Sequence, residues 1–545
     1  MAPDASGSQR FLFTPDLIAG FSIAGLLLPE AVAYAGIAGV PPQAGVVALL
    51  AGLACYGLIG TSRFAIVSAT SSSAAVLLAA TSSIAGPDLA LRMMLGAGLI
   101  LLTGVFFIIA GLSGLGGVSN FIAKPVLRGF AFGLAITIVV KQLAKIVVVH
   151  PGHADLFRYS WDLVAKWPEW NYAGLVIAGL ALIMLKGLAR WHTLPGALLV
   201  IGAGIALDVT GITTQYGIAP VGPINLALHW PTVPDLDREQ WLRLGELAVA
   251  MVLILYAESY GSIRTFAMRH GDVTSANRDL IALGVANLSS GLFHGMPVGA
   301  GYSATSANEA AGAQSRWAGW IAAGVVLTLV LTVLRWIEHT PEPVLAAIVI
   351  HAVSHTLRLG SFVPYFAWRR DRIIAVTAVL AVLILGVLDG LLAAVAVSLM
   401  MFLRNLSEPR VALLGRLGAS HDYVDIERHP EAQRIPDVLI VRPETPLFFA
   451  NAEQVFTLIH KRIEGTPNSR ALIISLEECS DLDSSGIEAL GELADYLQQR
   501  DIRLLLARVK DRVRDVLLRA ALPQIPQACY AAWSVDDAVN EIMKR

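Results

Sequence analysis

Residues 67–75 read VSATSSSAA, and far downstream residues 302–311 read YSATSANEAA. Each stretch opens a short apolar run that Gly or Pro interrupts at its start. Interrupted hydrophobic segments at matching positions of two halves are typical of inverted-repeat membrane transporters, because broken helices direct their N-terminal dipoles at a bound anion. The pair therefore predicts a polytopic helical membrane protein whose ligand site lies between two broken helices.

The composition supports a membrane protein. Of the 545 residues, 55% are hydrophobic and only 15% are charged, and the mean hydropathy is +0.63. A soluble chain of this length is less apolar. The net charge of −2 and the scattered basic residues give no sign of a nucleic-acid partner. The three cysteines lie far apart, without the spacing of a metal site or of a disulfide framework.

Apolar runs of about twenty residues, long enough to cross a hydrocarbon core of about 30 Å, follow one another through most of the chain. They predict about fourteen spans, the third and tenth of them short. The predicted spans lie near residues 15–35, 42–60, 66–81, 91–112, 121–149, 171–188, 194–211, 245–267, 277–292, 302–313, 317–336, 343–356, 362–388 and 389–406. Division into seven and seven makes the two repeats inverted, since an odd repeat unit re-enters the membrane from the other side.

Basic residues concentrate on alternate loops, which predicts that both termini are cytoplasmic and that the protein lies in the plasma or inner membrane as a multi-pass protein. After residue 408 the composition changes to that of a soluble domain in which strands and helices alternate. The predicted organisation is a cytoplasmic N-terminal segment 1–14, a transmembrane domain 15–408 (repeat one 15–211, repeat two 245–408), a linker 409–436 and a cytoplasmic α/β domain 437–545.

Several motifs resemble those of the SulP (sulfate permease) family. LPEAVAYA at 28–35, GVPP at 39–42 and GTSR at 60–63 resemble the opening signature of that family, and residues 303–319 resemble its tenth span. The DSSG motif at 483–486 resembles the signature loop of the STAS domain that closes most members. The resemblance covers essentially the whole chain.

The resemblance implies a core built from spans 1–4 and 8–11 and a gate built from spans 5–7 and 12–14. It also implies an anion held between the N-termini of spans 3 and 10, and a homodimer in the lipid bilayer. Fixed backbone N–H groups and helix dipoles suit an anion in a cleft, and hydroxyls can add donors. The candidate substrate-binding residues are Tyr34, Ser68, Ala69, Thr70, Ser303, Ala304 and Thr305.

Coupling to a cation is predicted because position 304 carries no positive charge. Members of the prestin branch resemble this stretch but carry Arg where this chain has Ala304, so another positive charge must offset the anion. The intramembrane carboxylates Glu30 and Glu258 lie in the first span of repeat one and of repeat two. A carboxylate buried in the membrane must be paired, hydrated or protonated. Ser262 lies one helical turn after Glu258 on the same face.

The resemblance extends to this pair, because sodium-coupled bicarbonate members place an acidic residue and a hydroxyl at matching positions. Na⁺ at Glu258 and Ser262 and a proton carried by Glu258 or Glu30 both remain open. No other cofactor is predicted. In the STAS domain, Ser484 matches the serine that is phosphorylated in related anti-sigma antagonists; the alternative is a plain N-cap beside an acidic patch.

The sequence thus predicts a secondary active transporter of a small anion such as bicarbonate, sulfate or a dicarboxylate, working by an elevator-like mechanism with Na⁺ or H⁺ coupling. Uncoupled exchange or channel-like conduction is the alternative within transport. A membrane-tethered STAS signalling scaffold is the alternative from another class. An enzyme is not predicted, because the sequence shows no nucleophile triad, metal constellation or phosphate-binding loop.

Overall fold

The structure is a computed structural model that describes residues 13–86, 88–117, 123–153, 155–188, 190, 196–222 and 230–544. Residues 1–12 of the predicted N-terminal segment 1–14 lie outside the described residues. The chain divides into two compact units after Ser398. The helices of the apolar part are α1 (Phe13–Ala38), α2 (Pro42–Ile59), α3 (Ser71–Ala85), α4 (Leu89–Leu112), α5 (Lys124–Ile146), α6 (Leu156–Ala165), α7 (Tyr172–Leu188), α8 (Gly196–Val209), α9 (Ile212–Gln215), α10 (Arg238–His270), α11 (Ala276–Leu292), α12 (Tyr302–Ala310), α13 (Trp317–Ile337), α14 (Glu342–Ser354), α15 (Val363–Phe366), α16 (Arg369–Leu385) and α17 (Val387–Ser407). Two strands, β1 (Val67–Ser68) and β2 (Gly299–Ala300), precede α3 and α12.

Each predicted span coincides with a helix, and the polytopic helical fold is therefore confirmed. The third and tenth spans are α3 and α12, which have only 15 and 9 residues. In the described part of the chain, α1, α2, α4 and α5 are each long and apolar enough to cross a membrane, and six further apolar helices are shorter. Broken helices of this kind are tolerated at membrane depth only where they are buried in protein or line a cavity.

The helices separate into two packed groups. In the first group α11 lies along α4, α1 packs against α13 and α2, and α10 packs against α4. In the second group α5 packs against α16 and α14, and α14 packs against α7. The first group contains spans 1–4 and 8–11 and the second contains spans 5–7, 12 and 13, as the resemblance implies for a core and a gate.

Small residues let the backbones of the core approach closely. A Cβ atom on Gly52 of α2 would lie 2.3 Å from the carbonyl oxygen of Val67, and a Cβ on Gly104 of α4 would lie 2.7 Å from the amide nitrogen of Leu288 in α11. Neither position has room for a side chain. Close helix approach at small residues is the usual basis of packing in a membrane, and here it presses α2 against the strand that leads to α3.

The second unit is an α/β domain with one mixed sheet. Its strands are β3 (Val411–Leu417), β4 (Tyr423–Asp425), β5 (Ala432–Gln433), β6 (Val438–Pro443), β7 (Ala471–Ser475) and β8 (Arg503–Ala507), and its helices are α18 (Ala452–Glu464), α19 (Ser484–Gln499), α20 (Asp511–Ala520) and α21 (Val535–Met543). The path through the sheet is β4-β3-β6-β7-β8, with β6, β7 and β8 parallel. The interior strand β7 is buried along its whole length, as expected for a strand covered on both faces.

The segment 409–436, which the sequence predicts to be a linker, contains three strands. Strand β3 lies in this segment and pairs antiparallel with β6, with Leu413 opposite Val441. Strands β4 and β5 of the same segment pair with β3. Leu413 joins the core on one face of the sheet and Leu414 joins the core on the other, so the alternating side chains of β3 bury both faces. The segment is the first part of the domain.

We expect a truncation after Ser407 to leave anion binding intact, because every candidate residue for binding the anion or the coupling ion lies in the first unit. Anion affinity in detergent, measured by isothermal titration, should match that of the full chain. A truncation at Asp437 provides the contrast, since it leaves β3 without β6 and exposes an unpaired strand that favours aggregation. A stable, folded protein truncated after Ser407 that bound no anion would contradict the assignment of the whole site to the first unit.

Candidate functional site

The frame of the site is a two-stranded ladder in which Val67 lies opposite Ala300 and Ser68 lies opposite Gly299. The strands are antiparallel, so the chain leaves the ladder in opposite directions, into α3 on one side and into α12 on the other. A Cβ atom on Gly301 would lie 3.3 Å from Cγ2 of Thr70, which shows that the two helix N-caps are adjacent. Two helix N-termini therefore face one another beside the ladder.

The N-terminus of α3 is fixed by a capping box. The Ser73 amide donates to Thr70 Oγ1 over 3.1 Å, and the Thr70 amide donates to Ser73 Oγ over 3.0 Å. The capping box satisfies two of the orphan N–H groups of the helix. The N–H groups of Ser71 and Ser72 belong to the first turn and have no partner within the helix.

The N-terminus of α12 has no side-chain cap. Its N-cap is Gly301, and the first backbone bond of the helix runs from the Thr305 amide to the Gly301 carbonyl over 3.1 Å. The N–H groups of Tyr302, Ser303 and Ala304 precede that bond and have no acceptor within the helix. A helix that begins at glycine leaves these N–H groups open to an anion.

Most of the predicted hydroxyls already have a hydrogen-bond partner within the protein. Ser68 donates to the Ala69 carbonyl over 3.3 Å, and Thr305 accepts from the Ile66 amide over 3.4 Å. Ser303 differs, because its side chain is exposed. Ala304 and Ala69 are buried and carry no polar side-chain atom. The donors that remain are chiefly backbone N–H groups, with Ser303 as the accessible hydroxyl.

The carboxylate of Glu258 in α10 contacts the N-terminus of α3 directly. Its Oε2 atom accepts a hydrogen bond from the Ser72 hydroxyl and a longer one, 3.4 Å, from Thr70 Oγ1. The sequence predicted Glu258 but did not identify Ser72 as a site residue. A periodicity argument does not find this contact, because the two residues lie in different repeats and meet only through the fold.

Ser262 lies one turn after Glu258 and is almost fully buried, with 1% of its surface exposed. Its hydroxyl has no hydrogen-bond partner among the residues that the structure describes. The structure does not join it to Glu258 by a hydrogen bond. A buried oxygen without a partner is costly unless a ligand satisfies it, and carboxylate and hydroxyl oxygens are ligands that suit a hard cation.

The second predicted carboxylate, Glu30, is buried in α1. Tyr34, one turn later, is in side-chain contact with it. Tyr34 also lies near enough to Glu258 for charge interaction. Tyr34 therefore lies near both predicted carboxylates.

Asp279 of α11 is a buried carboxylate that the sequence did not single out. It accepts hydrogen bonds from the Tyr56 hydroxyl at 2.9 Å, the Thr61 amide at 2.8 Å and the Thr61 hydroxyl at 2.7 Å. Three donors satisfy its two oxygens, which is how a structural carboxylate is stabilised. Glu258, by contrast, receives its hydrogen bonds from the described residues on Oε2.

Two further polar residues hold β2 in place. Ser259 Oγ accepts from the Ala300 amide over 2.8 Å. The fully buried Asn287 accepts from the Val298 amide at 3.0 Å and donates to the Val298 carbonyl at 2.9 Å. An asparagine that satisfies both backbone groups of one residue replaces a missing strand partner, so α10 and α11 set the position of α12.

We expect Asn287→Ala to lower the thermal stability of the core, because it leaves the N–H and C=O of Val298 without partners. Each buried unsatisfied group costs about 1 to 3 kcal/mol. Differential scanning fluorimetry in detergent should report the loss. The control is Ser289→Ala in the same helix, whose hydroxyl accepts a weak thiol hydrogen bond from Cys55. Equal melting temperatures for the two variants would contradict this role for Asn287.

The STAS-like loop carries Ser484 at the first position of α19, with its side chain exposed. The N-cap of that helix is Asp483, whose Oδ1 accepts from the Gly486 amide over 2.8 Å. Arg512 forms an ion pair of 2.7 Å with Asp481. Nearby Cys479 is fully buried, and burial raises the pKa of its thiol to about 11, so it is unreactive near neutral pH.

Comparison with sequence families gives two matches. The profile of the sulfate permease family matches residues 13–381, and the profile of the STAS domain matches residues 429–535. Two proteins of Mycobacterium tuberculosis named as probable sulfate transporters are each 31% identical over 517 residues, which cover 94% of this chain and 92% of theirs. Human solute carrier family 26 member 6 is 29% identical over 466 residues, covering 80% of this chain and 61% of that protein.

Solved structures show the same architecture. Murine solute carrier 26 family member A9, an anion transporter in the inward-facing state, matches with a TM-score of 0.90 at 21% identity and covers 99% of this chain and 93% of its own. The transmembrane domain of the cyanobacterial bicarbonate transporter BicA matches with a TM-score of 0.61 at 20% identity, covering 72% of this chain and 98% of its own.

The match to the permease family covers repeat one and most of repeat two and includes both helix N-termini of the site. The STAS match begins within the segment that β3 to β5 add to the second unit. The matching family is one of transporters, not of enzymes. The chain belongs to the sulfate permease family of anion transporters and carries a C-terminal STAS domain.

Proposed function

We propose that the protein is a secondary active transporter that binds one small anion between the N-termini of α3 and α12. The supporting observation is the pair of facing helix starts, of which one begins at glycine and leaves its first N–H groups open. Two positive dipole ends and several aligned N–H donors stabilise an anion without a fixed cationic side chain. Buried Ala304 supplies no such charge.

We propose a small inorganic oxyanion as substrate, with sulfate as the first candidate. Relatives that match over nearly the whole chain are named as probable sulfate transporters, and the transmembrane domain of a bicarbonate transporter shares the fold. A site built from backbone donors recognises compact oxygen-rich anions of either kind. Bicarbonate and dicarboxylates are therefore retained as competitors in the test.

Glu258 couples the anion to a cation. Its carboxylate lies at the α3 N-terminus, on Ser72 and Thr70, so an ionised Glu258 repels an anion bound there. Two like charges about 4 Å apart repel by about 4 kcal/mol at an effective dielectric constant of 20. Na⁺ bound by Glu258 and Ser262, or a proton on Glu258, removes that repulsion and makes the two binding events cooperative.

Transport proceeds by movement of the core against the gate, in the manner of an elevator. The anion site and Glu258 lie on core helices, and the separate packing of the two helix groups permits such a shift. We further propose a homodimer in the lipid bilayer, with both termini and the STAS domain in the cytoplasm. Exposed Ser484 is a candidate phosphosite there, since Asp483 supplies the N-cap and leaves its hydroxyl unused for capping.

Counterflow in proteoliposomes tests this function. Vesicles loaded with unlabelled sulfate, bicarbonate, nitrate, chloride or fumarate are diluted into labelled anion, with and without a sodium gradient and with and without a pH gradient. The proposal expects transient accumulation with one anion class and a dependence on one of the two gradients. An anion flux that is the same with and without the sodium gradient and with and without the pH gradient would instead establish uncoupled exchange.

A further inference from the structure

A cavity of about 730 Å³ lies between the core and the gate. Its core wall comes from the C-terminal part of α1 and from α3, and its gate wall comes from α5, α14 and the end of α16. The cavity reaches Ala75, which lies one helical turn after Ser71 at the start of α3. It therefore leads from the side of the membrane where α1, α3 and α5 end towards the proposed anion site.

Two lysines of the gate, Lys141 and Lys145, line this cavity on one face of α5. Lys145 donates to the Gly36 carbonyl over 3.2 Å and lies near Glu342. A carbonyl at a helix C-terminus and a carboxylate both compensate an ammonium group. Lys145 is thus accounted for as a structural cation that joins α5 to α1.

The other charged side chains of the cavity wall are compensated as well. Asp155 caps α6 by accepting from the Arg158 amide over 3.2 Å, and the Arg158 guanidinium lies 3.9 Å from it. Glu342 lies beside Lys145. Lys141 is the exception: among the described residues no hydrogen bond or ion pair reaches its ammonium group, and the side chain is half-buried.

An uncompensated lysine within a membrane-spanning helix is costly and marks a functional position by default. Lys141 is on the gate, lines the cavity and lies along the route to a core site that has no cationic side chain. A fixed positive charge at the wall of a cleft concentrates counter-ions there. Its position fits a place where an anion waits outside the main site.

We propose that Lys141 forms a staging site for the transported anion, a second and weaker binding position in the cavity between solvent and the α3–α12 site. The chemical class of its ligand is that of the substrate, a small inorganic oxyanion, and in this respect the proposal rests on the function proposed above. With the termini cytoplasmic, the cavity opens to the extracytoplasmic side. Lys141 then acts on anions arriving from that side only.

The test compares the half-saturation concentration for labelled sulfate from the two sides of the membrane, in whole cells and in inverted membrane vesicles. Lys141→Gln should raise it about fivefold from the extracytoplasmic side, the change expected for losing about 1 kcal/mol of attraction between charges about 4 Å apart in water-like surroundings. The value from the cytoplasmic side should not change. Lys141→Arg keeps the charge and should retain the wild-type value on both sides.

The matched control is Lys124→Gln, which removes the same charge from the other end of α5, where the side chain is exposed and outside the cavity. It should leave both values unchanged. Lys141→Gln values equal to those of the control, or raised equally from both sides, would overturn the staging site. The test compares transport from the two sides of the membrane and does not depend on where the main site lies. If the α3–α12 assignment failed, the staging site could still be established, and failure of the staging site would not overturn the α3–α12 assignment.

If Lys141→Gln does not fold, Lys141→Cys provides the second measurement on folded protein. A positively charged methanethiosulfonate reagent should restore the lower half-saturation concentration, a negatively charged one should raise it further, and sulfate should slow the labelling. The wild-type chain, with its three native cysteines, shows the background. Labelling that changes the flux equally with either sign of reagent would also overturn the proposal.

Discussion

Glu258→Gln should abolish uphill accumulation of anion while leaving anion exchange in place. The amide keeps the size of the side chain and can still accept from Ser72 and Thr70, but it carries no charge to repel the anion or to attract a cation. A ligand shifts an equilibrium only through differential affinity, so without the carboxylate the cation no longer changes anion binding. Gradient-driven uptake in proteoliposomes should fall to an accumulation ratio of about 1.

The control for that variant is Glu246→Gln, which removes an exposed carboxylate from the same helix. It should accumulate anion as the wild type does. Should Glu258→Gln also accumulate anion against its gradient at the wild-type level, the coupling role of Glu258 is wrong. Glu30, buried beside Tyr34, is then the carboxylate to test.

Ser303→Trp should abolish transport without unfolding the protein. The Ser303 side chain is exposed at the second position of α12, so a large ring can be accommodated there while it fills the space in front of the open N–H groups. A helix N-terminus contributes about 1 to 2 kcal/mol to anion binding in favourable geometry. Loss of both helix contacts therefore weakens binding by about thirtyfold to a thousandfold.

Ala310→Trp is the matched control, because Ala310 is the exposed last residue of the same helix. Both variants should give the same monodisperse elution profile and similar melting temperatures, and only Ser303→Trp should lose sulfate counterflow. Normal flux from a well-folded Ser303→Trp variant would rule out the space between α3 and α12 as the anion site.

Hydrophobic run length was sufficient to predict the membrane-spanning helices, because the hydrocarbon thickness fixes how many apolar residues a span needs. The repeated Ser-Ala-Thr-Ser stretches predicted the two broken helices, since each break carries its own local signal. Strand β3 was missed because it is a single short run after Pro409, and only its pairing with β6 makes it a strand. The local pattern of residues does not show which strand of the folded domain will pair with a short apolar run.

The site shows the same division. Glu258 could be predicted because an acidic residue in an apolar run is unusual, whereas its contact with Ser72 joins residues that are far apart in the sequence. Asn287 and Asp279 were missed for the same reason, although each is a polar residue within an apolar helix. The local signal that could have identified them is a polar residue in an apolar run, because a polar group buried there requires a hydrogen-bond partner.

The most direct test of the central claim is to locate the anion itself. Selenate replaces sulfate in shape and charge, and its anomalous scattering identifies selenium in crystals of protein that has been shown to exchange selenate in proteoliposomes. The account predicts a selenium peak between the two helix starts, within hydrogen-bonding distance of N–H groups at Ser71 or Ser72 and at Ser303 or Ala304. A peak confined to another part of the protein, with none between α3 and α12, would contradict it.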